Sequence, residues 1–170
     1  MRKGAIISKD KKHRYRLWRI WDDSLPKALF IMLNPSTADA MLDDPTIRRC
    51  IGFAKSWGYG GIYVGNIFSL RSSNPKDLIS NVLDIQLGYC VADRNEESVR
   101  YMADICELVV CAWGNSPILK QMEKHGLIVT DWMYELVGKS SYLAKSKDGT
   151  PKHPLYLKKD LKPIEYKLIF

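Results

Sequence analysis

The sequence lacks the motifs that identify several common enzyme classes. Its 170 residues contain no GxxxxGK[ST], GxGxxG or GxSxG segment. These segments form the phosphate loop of NTPases, the dinucleotide loop of nicotinamide enzymes and the nucleophile turn of serine hydrolases. The sequence therefore gives no support to any of these three classes.

Paired cysteines and long apolar runs are also absent. The four cysteines show no CxxC spacing, so no disulfide framework is indicated and we expect buried thiols in a reducing compartment. The apolar runs have the length of strands and are too short to span a bilayer. The segment MRKGAIISKDKK is basic without an apolar signal region. We therefore expect no export and a cytoplasmic location.

What is present is an ordinary globular composition with an excess of positive charge. Apolar residues make up 46% and charged residues 26% of the chain, which predicts one folded domain over residues 1–170. The net charge of +7 and the pI near 9.2 are compatible with a polyanionic partner such as nucleic acid. Much of the basic excess lies near the two ends of the chain. Solvated loops explain it slightly better than a polyanionic partner does.

The order of the elements indicates an α/β fold. KGAIIS and YRLWRIWD, joined by the turn KDKKH, predict an antiparallel hairpin. ALFIMLN, GGIYVGNIFSL and ELVVCAWGNSP predict three further strands. Apolar residues three and four apart predict a helix from Pro45 to Gly58 capped by Asp44, and Asn95 is predicted to cap a second helix. Because strands alternate with helices, we expect a mostly parallel sheet covered on both faces.

Polar turns follow three of the predicted strands, as LNPST, GNIFSLR and WGNSP. Sites of parallel sheets form beyond the carboxyl ends of the strands, so these turns are expected to meet in one cleft. In the first turn, the amide of Asn34 can orient a water, Pro35 stiffens the chain, and the hydroxyls of Ser36 and Thr37 can donate to an anion. The same four residues also make an ordinary self-bonded turn, which sequence chemistry alone favours.

Three further features have both a functional and a structural interpretation. Asn66 lies in an apolar strand and either bonds a neighbouring loop or reads a planar amide edge such as that of a pyrimidine. His153, in GTPKHPLYL, is either a rigidly held electrostatic catalyst or a loop histidine. Asp39, Asp43 and Asp44 can activate a water or serve the helix end, and their spacing gives little support to a metal site.

Five segments together carry a family resemblance: IMLNPSTADA, DDPTIRRCIGFAKSWGYG, VGNIFSLR, AWG and GTPKHPLYL. Through them, nearly the whole chain resembles domain-of-unknown-function family 1643 of bacteria and phages. More distantly, the chain resembles the uracil-DNA glycosylase superfamily. The motifs of that superfamily are matched in order by Asn34-Pro35, Asn66, Trp113-Gly114 and His153-Pro154-Leu155.

The distant resemblance implies a three-layer α/β/α sandwich that hydrolyses the N-glycosidic bond of a damaged or modified base in DNA. Asn34 would position the water, Asn66 would bind the flipped base, and His153 would steady the developing charge. Either Asp39 or Asp43 could assist Asn34. The implied catalytic residues are Asn34, His153 and Asp39. The implied substrate-binding residues are Pro35, Ser36, Thr37, Asn66, Phe68, Trp113, Gly114 and Asn115. The implied DNA-binding residues are Arg71, Lys152, Pro154, Leu155, Tyr156 and Lys158.

The same resemblance implies a monomer without metal or cofactor, acting on DNA in a bacterial cell or a phage-infected host. Two alternatives keep the fold or the ligand but change the chemistry. One is a base-modifying or transferase enzyme of phage DNA hypermodification. The other is a non-catalytic module that binds nucleic acid or nucleotides. An enzyme acting on a small molecule, with incidental basic charge, is a further alternative.

Overall fold

The computed structural model describes residues 1–36, 38–74, 77–78, 91–119 and 135–166, without the side chains of residues 91–93. Its strands form one seven-stranded sheet in the order β1-β2-β4-β3-β5-β6-β7. They are β1 (Arg2–Ile7), β2 (Arg14–Ile20), β3 (Lys27–Met32), β4 (Gly61–Asn66), β5 (Leu108–Cys111), β6 (Ser141–Tyr142) and β7 (Ile164–Glu165). The centre, from β4 to β6, is parallel, and the outer pairs are antiparallel. The predicted hairpin and the α/β class are confirmed.

Helix α1 (Pro45–Ser56) follows β3 and starts where the sequence predicts. Its cap is Asp44, whose Oδ1 accepts a hydrogen bond of 2.8 Å from the Ile47 N–H, while Pro45 occupies a first-turn position that needs no donor. The helix buries Ile47 and Phe53 against the sheet. The chain then leaves it through Gly58, whose φ of +86° favours glycine.

Helix α2 (Val91–Ile105) precedes β5 and corrects a prediction. It is already helical four residues before Asn95, so Asn95 is an interior residue and not a cap. Its Nδ2 donates to the carbonyl oxygens of Asn66 and Ile67, both at 3.0 Å. Because the chain turns out of β4 at this point, these carbonyls need a new donor, and a buried asparagine on the facing helix supplies it.

The two helices cover opposite faces of the sheet. Along β3, Leu29 and Ile31 pack into the core that contains Val99 and Met102 of α2. Phe30 and the other alternate residues pack into the core that contains α1. This alternation is the period of a strand buried on both sides, as a central parallel strand requires.

The connections leaving β3 and β4 separate to opposite faces. The chain runs from β3 through α1 to β4, and from β4 through α2 to β5, which lies on the other side of β3. Neighbouring parallel strands whose outgoing connections diverge leave a crevice beyond their carboxyl ends. The fold therefore places a potential site between the end of β3 and the end of β4.

Three short helical segments adjoin residues outside the described part of the chain. They are residues 77–78, 117–119 and 135–137. No described helix is long and apolar enough to cross a membrane.

Candidate functional site

A cavity of about 320 Å³ lies at this crevice. Each neighbouring segment contributes side chains to its wall. The contributors are Asn34 and Ser36 after β3, Ser72 and Ser73 after β4, Trp113 after β5, His153 from the C-terminal loop, Asp44 and Thr46 at the start of α1, and Arg14 from β2. The volume is at the lower end of the range for small-ligand pockets. The predicted meeting of the three polar turns is thus observed for the first and third of them.

Asn34 ties the loop after β3 to the loop after β4. Its Nδ2 donates to the carbonyl oxygens of Ser72 at 2.7 Å, Pro35 at 3.2 Å and Leu70 at 3.4 Å. Because all three partners are acceptors, the nitrogen must face them and the orientation of the amide is fixed. Oδ1 therefore points the other way and accepts no hydrogen bond from the described residues. The side chain combines a structural donor with a free acceptor at the cavity.

His153 is held by the segment after β5. Gly114 donates its N–H to the Pro151 oxygen at 3.0 Å, and a Cβ on Gly114 would come within 3.1 Å of the His153 Cβ. The φ of Gly114 is +79°, which a residue with a side chain rarely adopts. The Trp-Gly pair thus packs the His-Pro loop against the end of the sheet.

The protonation state of His153 follows from its surroundings. Burial lowers the pKa of the imidazole below its usual value, and the nearby Asp44 carboxylate opposes this only in part. Nδ1 accepts a long hydrogen bond of 3.4 Å from the Leu155 N–H. At neutral pH the ring is therefore uncharged, with its proton on Nε2 available as a donor.

Asp44 is the carboxylate that lines the cavity, and both of its oxygens are engaged. Oδ1 caps α1, and Oδ2 accepts a hydrogen bond of 2.6 Å from the Ser36 hydroxyl. This engagement makes Asp44 a poor general base. No group of three or more His, Cys, Asp and Glu side chains in the described ranges is placed to hold a metal ion.

Asn66 is the last residue of β4 and is 1% exposed. It pairs with Met32 and follows Val64 by two residues, so its side chain lies on the same face of the sheet as α1. Neither its Nδ2 nor its Oδ1 has a hydrogen-bond partner among the described residues. The side chain is not part of the cavity wall, but an unpaired buried amide beside it is costly unless a ligand satisfies it.

Arg14 belongs to the site and was missed by sequence reasoning. Ile6 pairs with Arg16 whereas Ile7 pairs with Arg14, so β2 contains a bulge with Tyr15 as its extra residue. Arg16 packs over Tyr101 of α2 on one face, while Arg14 reaches the cavity on the other. Without the bulge, the two arginines would share a face. Only the register shift reveals this.

A second depression of about 300 Å³ continues the cavity outward. It shares Ser36, Ser72 and Ser73 with the cavity and adds Lys11 and Arg71. Lys11 comes from the turn of the β1–β2 hairpin, which sequence analysis interpreted as a solvated basic turn.

Comparison with known protein families shows which family the chain belongs to. Residues 14–155 match the family described as protein of unknown function (DUF1643). The chain belongs to this family. No curated protein and no solved structure matches the chain significantly. Membership of DUF1643 thus confirms the first resemblance, and the matched residues include those of the cavity described above.

The remaining predicted site residues of this DUF1643 chain lie around the cavity or away from it. Pro35 is buried, and Phe68 is buried in the core on the α2 side. Asp39 does not line the cavity, and its Oδ1 accepts hydrogen bonds from the N–H groups of Met41 and Leu42. Asn115 is exposed and outside the cavity wall. Thr37 lies outside the described residues.

The predicted DNA-binding residues around His153 occupy a short 3-10 turn, Pro154–Tyr156, and its flanks. Pro154 is buried, and Leu155 is half-buried. Tyr156 is 90% exposed, and Lys152 and Lys158, which lie on either side of the turn, are both exposed. An exposed aromatic next to a cavity, flanked by lysines, is a suitable surface for a base or a groove.

Proposed function

We propose that the chain is an N-glycosylase-like hydrolase that acts on a damaged or modified base in DNA, with a fold related to uracil-DNA glycosylases. One observation carries the proposal. Asn34, Trp113 and His153 line a single cavity at the point where the connections of β3 and β4 diverge. These residues come from three motifs that the glycosylase resemblance links and that are far apart in the sequence.

The chemistry follows from the donors and acceptors available. The free Oδ1 of Asn34 accepts a hydrogen bond from a water and orients it towards C1′ of an extruded nucleotide. The glycosidic bond breaks with its electron pair going to the base. The water oxygen bonds to C1′, and its proton passes to the departing base. Nε2–H of His153 donates to a base oxygen as negative charge develops there.

Recognition of the base is assigned to Asn66. An amide presents one donor and one acceptor side by side, which matches the edge of a pyrimidine. Its two unpaired buried polar atoms support this role, which requires the base to extend past the present cavity wall to reach them. Tyr156 and the lysines beside it would contact the DNA around the extruded nucleotide.

A second candidate is a module that binds nucleotides or nucleic acid without hydrolysis. The state of the carboxylates favours it: Asp44 is engaged on both oxygens, and Asp39 lies outside the cavity. The hydrolytic proposal therefore depends on the amide of Asn34 and on fixed dipoles, without a carboxylate base.

The experiment is an abasic-site assay. The protein is incubated with DNA carrying uracil, mismatched thymine or hypermodified pyrimidines, and alkali then converts abasic sites into strand breaks. We expect breaks at one base type, with rates reduced about 10²-fold or more in Asn34→Ala and His153→Ala. Glu97→Ala, on the exposed side of α2, is the control. Intact strands throughout, with DNA still bound, would favour the binding module.

A further inference from the structure

We propose that the cavity and the depression continuous with it form one anion site, which binds a phosphate ester through Arg14, Arg71 and Lys11. The inference rests on the proposed function in one respect, namely that the ligand carrying the phosphate is a nucleotide. It does not require hydrolysis. Of the three residues, only Arg71 was predicted from the sequence to contact DNA.

The guanidinium of Arg14 is the first support for the proposal. Arg14 is 2% exposed. Its Nη1 donates to the Ala38 oxygen at 2.7 Å, but its Nε is buried without a partner among the described residues. No carboxylate of the described residues lies within salt-bridge distance of it. A buried cation without a counterion is strongly unfavourable, and an anionic ligand at the cavity would remove that cost.

The aspartates of the loop that leads into α1 are already engaged. Asp43 pairs with Arg19 at 2.6 Å and with Lys3 at 3.0 Å. The oxygens of Asp44 bond Ser36 and the N-terminus of α1, and Asp39 bonds two backbone N–H groups. Asp44 and Asp39 attract Arg14 only from beyond salt-bridge distance. The resident carboxylates therefore leave its hydrogen-bonding capacity unused.

The outer depression adds two further cations. The Nε of Arg71 is also buried without a partner in the described part of the chain, although its Nη1 donates to the Lys11 oxygen at 3.2 Å. Lys11 forms no ion pair with the described residues. Arg71 is close enough to Arg14 for its charge to disfavour that of Arg14. An anion between them would convert this repulsion into attraction.

A phosphate ester fits this set of donors. Guanidinium groups donate to phosphate oxygens in pairs, and Ser36, Ser72 and Ser73 belong to the wall that the cavity shares with the depression. The phosphate can belong to a free nucleotide or to the backbone of a nucleic acid. Both present the same oxygens to the site.

The test is a calorimetric titration of the full chain at constant ionic strength. The probes are inorganic phosphate, thymidine 5′-monophosphate, the dinucleotide TpT and unphosphorylated thymidine. We expect at least one phosphate probe to bind more tightly than thymidine. Arg71→Gln and Lys11→Gln should each weaken that binding several-fold, and Arg14→Met about tenfold or more. Arg100→Gln is the matched control, because Arg100 of α2 is paired with Glu96 and Glu135.

Each outcome decides the proposal. Equal binding in the wild type, Arg71→Gln and Lys11→Gln overturns it, as does the absence of binding by all three phosphate probes, and these two variants suffice if Arg14→Met does not fold. Binding of the monophosphate alone identifies a free nucleotide, whereas binding of TpT identifies a nucleic-acid backbone. Phosphate binding without base release contradicts only the hydrolysis. Base release with phosphate binding unaffected by the variants contradicts only the anion site.

Discussion

At the scale of single residues, the two buried arginines Arg14 and Arg19 have opposite surroundings. Arg14 lines the cavity, and Arg19 holds the loop that leads into α1. Arg19 is fully buried, and its three nitrogens donate to the carboxylate of Asp43 and to four backbone oxygens. These hydrogen bonds stabilise the loop that leads into α1. Arg14 is almost as buried but has one backbone partner and an unpaired Nε among the described residues. Burial lowers its pKa to about 10, so it remains charged at neutral pH.

This contrast predicts different stability effects for the same substitution. Arg19→Met should reduce the free energy of unfolding by about 3–5 kcal/mol, because it leaves Asp43 without its closest partner. Arg14→Met should change it by less than about 1 kcal/mol or raise it, because an uncompensated charge is removed. Urea unfolding in phosphate-free buffer measures both. A loss in Arg14→Met as large as that in Arg19→Met would mean that Arg14 is structural.

Sequence reasoning found some of these residues and missed others for physical reasons. Asn34, Trp113 and His153 were predicted because each follows a recognisable strand or lies in a proline-rich loop, and the cavity brings them together. Arg14 was missed because a basic residue in an edge-hairpin strand usually faces solvent. The bulge that redirects it depends on pairing with β1, which the local sequence does not encode.

At the scale of elements, the short segment after β5 determines where His153 lies. Gly114 has a left-handed backbone, and any side chain on it would press on His153. Gly58, at the end of α1, has a similar φ of +86°, but a Cβ added there would meet no described atom within 4 Å. Substitutions at the two glycines therefore distinguish the effect of backbone strain from the effect of displacing His153.

Gly114→Ala and Gly58→Ala should each lower the free energy of unfolding by about 1–2 kcal/mol, since both force alanine into the left-handed region. Only Gly114→Ala should also move His153, and base release should fall about tenfold or more in that variant alone. Chemical denaturation and the abasic-site assay give the two quantities. Equal activity in the two variants would show that the Trp-Gly segment does not position His153.

The elements themselves were largely predictable, because their signals are local. Asp44-Pro45 and the apolar spacing after it located α1, and the hairpin followed from two strand patterns around a polar turn. The start of α2 was misplaced because Asn95 and the glutamates after it imitate a helix N-terminus. The strand order could not be predicted from the sequence. β3 lies between β4 and β5 because it pairs with residues that are distant from it in the sequence.

At the scale of the whole molecule, the N-terminal hairpin forms part of the site. His13 Nδ1 lies 3.0 Å from the Ser69 hydroxyl, and Arg71 donates its N–H to the Lys12 oxygen at 2.8 Å. The turn between β1 and β2 is thereby fixed against the loop that follows β4. What the sequence presented as a solvated basic turn is a wall of the outer depression.

The central claim is that a base of DNA enters the cavity. The most direct measurement is photocrosslinking of an oligonucleotide carrying one 5-iodouracil to the Asn34→Ala variant, in which the proposed hydrolysis is expected to be lost. Mass spectrometry then locates the adduct. We predict an adduct on Trp113, the tryptophan in the cavity wall. Adducts confined to residues outside the cavity, such as the exposed Tyr156, with Trp113 unmodified, would contradict the claim.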